Sequence, residues 1–326
     1  MRDAPLFERI ALIGVGLIGS SLARVVRRDG LAGHVVACAR SDETLAKARA
    51  LDLADRFTND PGAAAEGADL VMLCTPLGAY RAIGEAIGPR LAPGAIVSDV
   101  GSVKGAAIDI LAPHLPAGVH LVPGHPVSGT EHSGPEAGFD TLFDGRWCIL
   151  TPPPGSDPAA VERIAGLWRA AGMSIELMDA AHHDKVLAIT SHLPHLIAYT
   201  IVGTVADLEK ATRKEVVKYA AGGFRDFTRI AASDPVMWRD IFLVNRDAVL
   251  EMLGRFSEDL SRLQRAIRWG ESETLENLFT RTRAVRRGVI EAHQAGIFVP
   301  TEPGDGQDAD DAAPAAPPSE PPPEKA

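Results

Sequence analysis

Short apolar runs alternate with longer amphipathic stretches over about the first 150 residues of the chain. The runs are rich in β-branched residues and are bounded by Gly, Pro, Asn or Asp, which is typical of strands. The predicted strands are 9–13, 35–39, 70–74, 95–99, 120–123 and 147–151. Their near-continuous apolarity predicts strands covered on both faces, and the alternation with helices predicts an α/β domain with a doubly wound, mostly parallel sheet.

One helix and one further strand extend this region. Asp157 is a typical N-cap and Pro158 a typical first-turn residue, so a helix is predicted over 157–171. A strand over 174–177 follows it. The first domain is therefore predicted to span residues 1–178.

Beyond this point the pattern predicts helices only, over 180–208, 212–219 and 224–295, with an Ala/Gly-rich break between the last two. We predict an all-α domain over 179–296. A stripe of apolar residues at three- and four-residue spacing is suited to packing within the chain or against a second copy. The stripe consists of Ile241, Val244, Ala248, Met252, Phe256, Leu260, Leu263 and Ile267.

Two uncharged segments raise the question of a membrane span. Residues 10–23 are short for a span and rich in Gly and Ser. Residues 186–206 are long enough, but His192, Pro194 and His195 are costly in lipid. We therefore predict that this segment is a buried helix of a soluble core, and that the protein has no membrane partner.

The C-terminal segment 297–326 combines eight prolines with seven acidic residues and a single lysine. Such a tail cannot bury enough apolar surface to offset its ordering entropy, so we predict that it is disordered. The net charge of the whole chain is −10. Because no basic stripe accompanies that charge, a nucleic-acid partner is not expected.

The three cysteines Cys38, Cys74 and Cys148 lie far apart and lack metal-ligand spacing. This pattern argues against a disulfide framework or a zinc site and fits a reducing cytoplasm. His192 and His195 share one face of a helix, but no third ligand of the HExxH kind accompanies them. No metal site is predicted.

A glycine motif, Gly-Val-Gly-Leu-Ile-Gly, follows the first predicted strand and precedes a predicted helix at 20–28. Gly14 permits a tight turn, Gly16 lets a pyrophosphate approach the backbone, and Gly19 lets the helix pack closely on the strand. The motif predicts dinucleotide binding at these glycines and at Leu17 and Ile18. The alternative is a glycine-rich turn without a ligand.

The coenzyme itself stays open, because Arg40 and Ser41 stand where an acidic residue usually binds the ribose of NAD. Arg40 could receive a 2′-phosphate, stack on adenine, or be a solvated surface residue, and Asp42 could still reach the ribose. NAD and NADP are therefore both candidate cofactors. Thr75 and Pro76 are further candidate cofactor contacts, because they follow a predicted strand at its carboxyl end, the edge where ligands bind.

Four polar residues follow the next two predicted strands, and we expect Ser102, Lys104, His125 and Glu131 to converge at the same edge. A histidine is a plausible general base because its unperturbed pKa lies near neutrality. A histidine between Gly and Pro is also often a turn residue without a catalytic role.

The helical domain carries a second polar group. Arg225 and Arg229 share a helix face, and Asp226 precedes Arg229 by three residues. Asp226 and Arg229 could form a surface ion pair only. The sharper interpretation is that the Arg229 guanidinium binds a substrate carboxylate and is held in orientation by Asp226.

Taken together, these motifs resemble the prephenate/arogenate (cyclohexadienyl) dehydrogenase family over residues 8–295. The matching stretches are 14–19, 99–104, 124–134, 191–195 and 222–238. The resemblance implies a Rossmann domain joined to a helical dimerisation domain, and a homodimer. It also implies an NAD(P)-dependent oxidative decarboxylation in tyrosine biosynthesis. Prephenate and arogenate differ in one substituent, and the choice between them stays open.

The resemblance assigns roles residue by residue. His125 matches the catalytic histidine that deprotonates the ring hydroxyl, and Ser102 matches a serine that hydrogen-bonds the same region. Arg229 matches the carboxylate-binding arginine, and His195 is implied to lie near the substrate side chain. Three further matches are implied to shape or gate the pocket: Glu131, Asp226 and Trp238.

Other classes remain as alternatives. A β-hydroxyacid-type dehydrogenase would carry a catalytic lysine in a GxxxAxxKxxxN helix, which is not found. A non-catalytic dinucleotide-sensing dimer would need the glycine motif but not Ser102, His125 and Arg229. A methyltransferase would place an acid before the first glycine, where Ile13 stands. We also expect neither a regulatory ACT domain nor a chorismate mutase segment.

Overall fold

The computed structural model describes residues 4–208, 215, 218–219 and 222–291. Its largest element is a six-stranded, fully parallel sheet of order β3-β2-β1-β4-β5-β6. The strands are β1 (Phe7–Ile13), β2 (Ala32–Cys38), β3 (Arg56–Thr58), β4 (Leu70–Leu73), β5 (Ile96–Asp99) and β6 (His120–Leu121). This order places β1 and β4 side by side at the point where the strand order reverses, which confirms the predicted doubly wound sheet.

Helices connect these strands. They are α1 (Leu17–Arg28), α2 (Asp42–Ala50), α3 (Pro61–Ala65), α4 (Tyr80–Ile87) and α5 (Lys104–Leu111). Side-chain caps set some of the starts, because Asp60 accepts from two amides at the start of α3 and Ser41 accepts from Thr44 at the start of α2.

Both faces of the sheet are covered, as the apolar strands predict. One buried cluster includes Leu12 and Leu22 together with Trp168. The other cluster includes Leu73, Tyr80 and other fully buried side chains. Because strand residues point alternately to the two clusters, neither face of a strand can be polar, which explains the missing alternation in the sequence.

A second, three-stranded sheet is formed by β7 (Gly124–Pro126), β8 (Trp147–Leu150) and β9 (Ser174–Leu177). Strand β8 is antiparallel to β7 and parallel to β9, and α6 (Pro158–Ala170) connects β8 to β9. The prediction that 147–151 belongs to the parallel sheet is therefore wrong. Strand β7 has no β-branched residue, and β3 has three residues, so neither produces a recognisable apolar run.

The helical region begins with α7 (Ala180–Leu187), a π-helical turn (Ala188–His192) and α8 (Leu193–Ala206). It continues with α9 (Gly222–Thr228), a 3-10 turn (Arg229–Ala232), α10 (Pro235–Val244), α11 (Arg246–Trp269) and α12 (Ser272–Glu291). The single helical stretch predicted over 224–295 is thus interrupted. Asp234 caps α10 through two amides, Asn245 separates α10 from α11, and Gly270 adopts φ +68° after α11.

The segment Ala180–Ala206 is long and apolar enough to cross a membrane by length and composition alone. The prediction of a buried helix is wrong for the single chain, because only 28% of its most apolar window is buried. Ile189, Ile201 and Val202 are exposed, whereas His183 and Asp184 are buried. A buried ionisable pair on this helix is the arrangement of a helix docked on its own protein.

The chain forms two compact units, and the boundary between them lies after Glu258. The division falls inside the region predicted to be helical, and the boundaries 1–178 and 179–296 stay predictions. The helix predicted at 212–219 lies largely outside the described residues. The tail predicted over 297–326 lies wholly outside them.

Candidate active site

The glycine motif forms the turn between β1 and α1. Gly14 adopts φ +101°, and a Cβ there would lie 2.6 Å from the carbonyl oxygen of Cys74. A Cβ on Gly19 would collide with the carbonyl oxygen of Gly14. A Cβ on Gly16 would meet no heavy atom of the described chain within 4 Å. The outer two glycines are therefore required by packing, whereas Gly16 leaves open space for a ligand.

The residues around this space fit a dinucleotide. Helix α1 begins at Leu17, three residues earlier than predicted. Its N-cap, Gly16, supplies no side-chain hydrogen bond, and the first turn of the helix contains no acidic residue. Its first amides are thus available to an anion. Thr75 follows β4, and its buried Oγ1 has no partner among the described residues. An orphaned hydroxyl and a bare helix start suit the phosphates and ribose of NAD.

The predicted contacts beyond the glycines differ in their availability. Arg40 is exposed after β2 and forms no hydrogen bond or ion pair in the described part of the chain. The Ser41 hydroxyl is already engaged, because it accepts from Thr44 N at 3.1 Å and caps α2. Pro76 is the N-cap residue of a short 3-10 turn. Of these three side chains, only that of Arg40 is both charged and without a partner among the described residues.

A buried ion pair joins the ends of β5 and β7. Lys104 Nζ lies 2.6 Å from both carboxylate oxygens of Asp99 and donates to the Gly124 carbonyl oxygen at 2.6 Å. Tyr80 Oη also donates to Asp99, at 2.8 Å. Burial lowers the pKa of Lys104, and the adjacent Asp99 opposes that shift. Lys104 is fully buried, so it supports the backbone beside His125 and is not free to bind a substrate.

His125 lies on β7 and is 7% exposed. Its Nδ1 is 2.9 Å from His183 Nε2, and His183 Nδ1 is 2.8 Å from Asp184 Oδ1. Burial is the main cause that lowers the pKa of His125 well below 6.5, and the nearby His183, Lys104 and His192 lower it further. His125 is therefore a neutral imidazole at physiological pH, able to accept a proton.

The sequence pattern did not indicate His183 and Asp184 as site residues. His183 is 58 positions from His125. Asp184 accepts hydrogen bonds from Lys104 N and Gly105 N, which are 80 and 79 positions away. No local spacing reports such contacts. The available signal was the run of ionisable residues 182–185 at the start of a long apolar segment, because ionisable residues that pack into a core need buried partners.

An aromatic group lies on α8 and α10. The rings of His195 and Trp238 stack with centroids 3.6 Å apart, and His192 meets Trp238 edge-on. Asn245 Nδ2 donates to His192 Nδ1 at 3.1 Å and to the Asp184 carbonyl oxygen at 2.9 Å. This links the aromatic group to the histidine network of β7 and α7. The described residues contain no group of three or more His, Cys, Asp or Glu side chains placed to hold a metal ion.

Arg229 begins the 3-10 turn after α9. Its Nη1 lies 2.8 Å from Glu131 Oε2, whereas Asp226 pairs with Arg225 at 3.2 Å. The prediction that Asp226 orients Arg229 is therefore wrong for this structure. A hydrogen bond from its own backbone and the charge of Arg229 lower the pKa of Glu131. Arg229 remains 58% exposed, which leaves its guanidinium accessible to a second anion.

Ser102 follows β5 and immediately precedes Val103, the N-cap of α5. It is half-buried and has no hydrogen bond within the described residues.

Electrostatic coupling relates the other site residues, because His192 lowers the pKa of His125 and Arg229 lowers the pKa of His195. The predicted residues thus form three linked groups: His125 with its network, His195 with Trp238, and Arg229 with Glu131.

A dinucleotide loop on a doubly wound sheet, followed by helices that bury a neutral histidine network, defines an NAD(P)-dependent dehydrogenase. The model for the prephenate dehydrogenase nucleotide-binding domain matches residues 22–177, and that for the prephenate dehydrogenase dimerization domain matches residues 179–281. The chain belongs to the prephenate dehydrogenase family.

Relatives agree with this assignment. The chain is 42% identical over 288 residues to the cyclohexadienyl dehydrogenase of Zymomonas mobilis, covering 88% of this chain and 98% of the relative. It is 31% identical over 309 residues to the prephenate dehydrogenase of Bacillus subtilis, covering 91% and 82%.

Solved structures extend the agreement to the fold. The prephenate dehydrogenase of Aquifex aeolicus, solved in complex with hydroxyphenyl propionate and NAD+, superimposes with a TM-score of 0.79 at 33% identity, covering 86% of this chain and 98% of that one. The Synechocystis arogenate dehydrogenase gives 0.72 at 29% identity, covering 86% and 99%. These matches favour neither the sensing-module nor the β-hydroxyacid alternative.

Proposed function

We propose that this dehydrogenase oxidatively decarboxylates both prephenate and arogenate, with His125 as the general base. The observation that carries the proposal is the buried His125 imidazole on β7, which contacts His183 at 2.9 Å and is kept neutral by its surroundings. The 42%-identical relative is named for the cyclohexadienyl ring that the two substrates share. The rates with each substrate, measured side by side, test this proposal.

The chemistry requires a base, an anion-binding group and a hydride acceptor. A bound NAD supplies the hydride acceptor. His125 takes the proton of the ring hydroxyl as the carbinol carbon loses its hydride, and the ring carboxylate leaves as CO2 while the ring becomes aromatic. Ser102, at the start of α5, is proposed to hydrogen-bond the same hydroxyl region.

Arg229 is proposed to bind a substrate carboxylate. Its pairing with Glu131 holds the guanidinium in place, and its remaining exposed donors can form a fork with a carboxylate. The stacked His195 and Trp238 rings supply an apolar wall for the substrate ring and its side chain.

Replacing Arg229 with Ala is expected to raise the substrate KM by about tenfold or more, because a charge-assisted fork is lost. The KM for NAD should stay within about twofold. Steady-state kinetics measure both constants. Arg225→Ala is the matched control, because Arg225 is also exposed and ion-paired on the same segment but pairs with Asp226. An unchanged substrate KM in Arg229→Ala would remove this role.

We propose that the protein is a homodimer. The second family model is described as a dimerization domain, and large apolar side chains stay exposed on the helices it covers. The most exposed include Leu243, Leu250, Ile267, Trp269 and Phe279. Light scattering after size exclusion should give about 69 kDa, twice the 34.5 kDa of one chain. A species of single-chain mass at micromolar concentration would contradict the dimer.

We also propose a cytoplasmic location. The three cysteines are free, and burial is the main cause that raises the pKa of each thiol, for Cys38 to about 12. Buried, protonated thiols fit a reducing compartment. Fractionation of cells that produce the protein should place it with the soluble cytoplasmic enzymes, and recovery in another fraction would contradict the proposal.

A further inference from the structure

We propose that His183 and Asp184 are positioning residues that hold His125 in the tautomer whose Nε2 carries the lone pair. This inference rests on the proposed role of His125 as the base. It makes two residues of α7 the support of a proposed base that lies on β7.

Asp184 is anchored by backbone amides. Lys104 N donates to its Oδ1 at 2.7 Å, and Gly105 N donates to its Oδ2 at 2.9 Å. These amides belong to the first turn of α5, where a negative charge is favoured by the helix dipole. Both carboxylate oxygens are thus acceptors in fixed positions, and the side chain is 13% exposed.

The proton positions of the two histidines follow from that anchor. An ionised carboxylate can only accept, so His183 Nδ1, 2.8 Å from Asp184 Oδ1, carries a hydrogen. Burial lowers the pKa of His183, so the ring is neutral and its Nε2 is an acceptor. His125 Nδ1, 2.9 Å from that nitrogen, must then be the donor. The lone pair of His125 is left on Nε2.

The opposite tautomer is disfavoured by the same geometry. A hydrogen on His125 Nε2 would leave two nitrogen lone pairs facing each other at 2.9 Å inside a site where both rings are buried. Reversing His183 as well would turn its Nδ1 lone pair toward the carboxylate. Each alternative leaves buried polar atoms unpaired, which costs more than the bonds themselves contribute.

The network also bears on the charge that His125 gains when it accepts a proton. The charged and titratable groups around it are His183 and Asp184 from α7, Lys104 and Asp99 from the β5–α5 junction, and His192 from the π-helical turn. Lys104 and the other histidines oppose a second positive charge. The hydrogen bond from His125 Nδ1 to His183, backed by Asp184, is the favourable contact for the imidazolium.

The discriminating pair of variants is His183→Gln and His183→Met. Their side chains are similar in length and volume, but Gln has an amide oxygen that can accept from His125 Nδ1, and Met has a methyl group there. We expect His183→Met to lower kcat by about 10- to 100-fold with little change in substrate KM, and His183→Gln to recover most of that loss. A merely structural role would affect the two variants alike.

A second measurement does not depend on turnover. Nitrogen-15 spectra of the histidine-labelled full-length protein, assigned with His125→Asn, should show protonated Nδ1 and bare Nε2 for His125. The protonated-Nε2 form in the unmodified protein would overturn the inference, as would wild-type kcat in His183→Met. If the unmodified protein turns over neither substrate, the proposed function fails, and the spectra still decide the tautomer.

Discussion

Replacing His125 with Asn is expected to lower kcat by about 10²- to 10⁴-fold, the usual contribution of a general base. The amide of Asn preserves a polar side chain on β7 but cannot take up a proton at neutral pH. NAD binding should stay within about twofold, because the glycine loop follows a different strand. Single-turnover absorbance and a coenzyme titration measure the two effects separately.

The acid side of the wild-type pH profile follows from the same residue. The pKa of His125 is lowered well below 6.5, so the imidazole stays neutral as the pH falls from 8 to 6.5. The value of kcat/KM for the substrate should therefore be level over that range. The loss appears only at lower pH, when His125 becomes protonated. His34→Asn, at a half-exposed position on β2, is the control and should have wild-type kinetics. Full turnover in His125→Asn, or a half-maximal rate above pH 6.5, would exclude this base.

Replacing Lys104 with Met should lower the free energy of unfolding by about 3–5 kcal/mol, as expected when one partner of a buried ion pair is removed. Asp99 would keep its bonds from Tyr80 and Gly101 but lose its fully buried counter-ion. The Gly124 carbonyl oxygen would lose its ammonium donor as well. Urea unfolding of the purified protein measures the change.

Two further variants show whether the unpaired charge is responsible. Lys185→Met makes the same replacement at an exposed position on α7 and should change the stability by less than about 0.5 kcal/mol. Adding Asp99→Asn to Lys104→Met removes the unpaired charge and should restore part of the loss. A Lys104→Met protein as stable as Lys185→Met would mean that the pair does not support the β5 and β7 ends.

The sheet could be predicted from the sequence wherever a strand is buried on both faces. Strands β1, β2, β4 and β5 could be predicted because short, near-continuous apolar runs bounded by turn residues favour strands that are covered on both faces. Strand β7 was missed because Gly-His-Pro has no strand propensity of its own, and it is held by pairing with β8. Pairing partners are properties of the fold, which a local pattern does not contain.

The candidate site also contains residues that a local pattern can predict and residues that only the fold brings together. The dinucleotide loop could be predicted because its glycines lie in one βα unit, where a Cβ on Gly19 would collide with the carbonyl oxygen of Gly14. The partner of Arg229 was predicted wrongly, because Asp226 is near in sequence whereas Glu131 is near in space. His183 and Asp184 were missed for the same reason.

The position of these residues explains how the two halves of the site are joined. Helix α7 presents Asp184 to the amides at the start of α5, and the preceding residue, His183, contacts His125 on β7. Asn245, between α10 and α11, fixes the α7 backbone and His192 together. The proposed base on β7 contacts α7, and Asn245 links α7 to His192 beside the aromatic group, so the proposed proton acceptance and substrate contacts depend on one packed arrangement.

The proposed oxidative decarboxylation is tested by NAD(P)H absorbance with purified full-length protein in a grid of prephenate or arogenate with NAD or NADP. We predict turnover of both substrates with NAD. The ratio of the rates with NADP and NAD measures whether the site beside Arg40 accepts the 2′-phosphate. Absence of turnover in all four combinations, with NAD binding demonstrated on the same sample, would contradict the account.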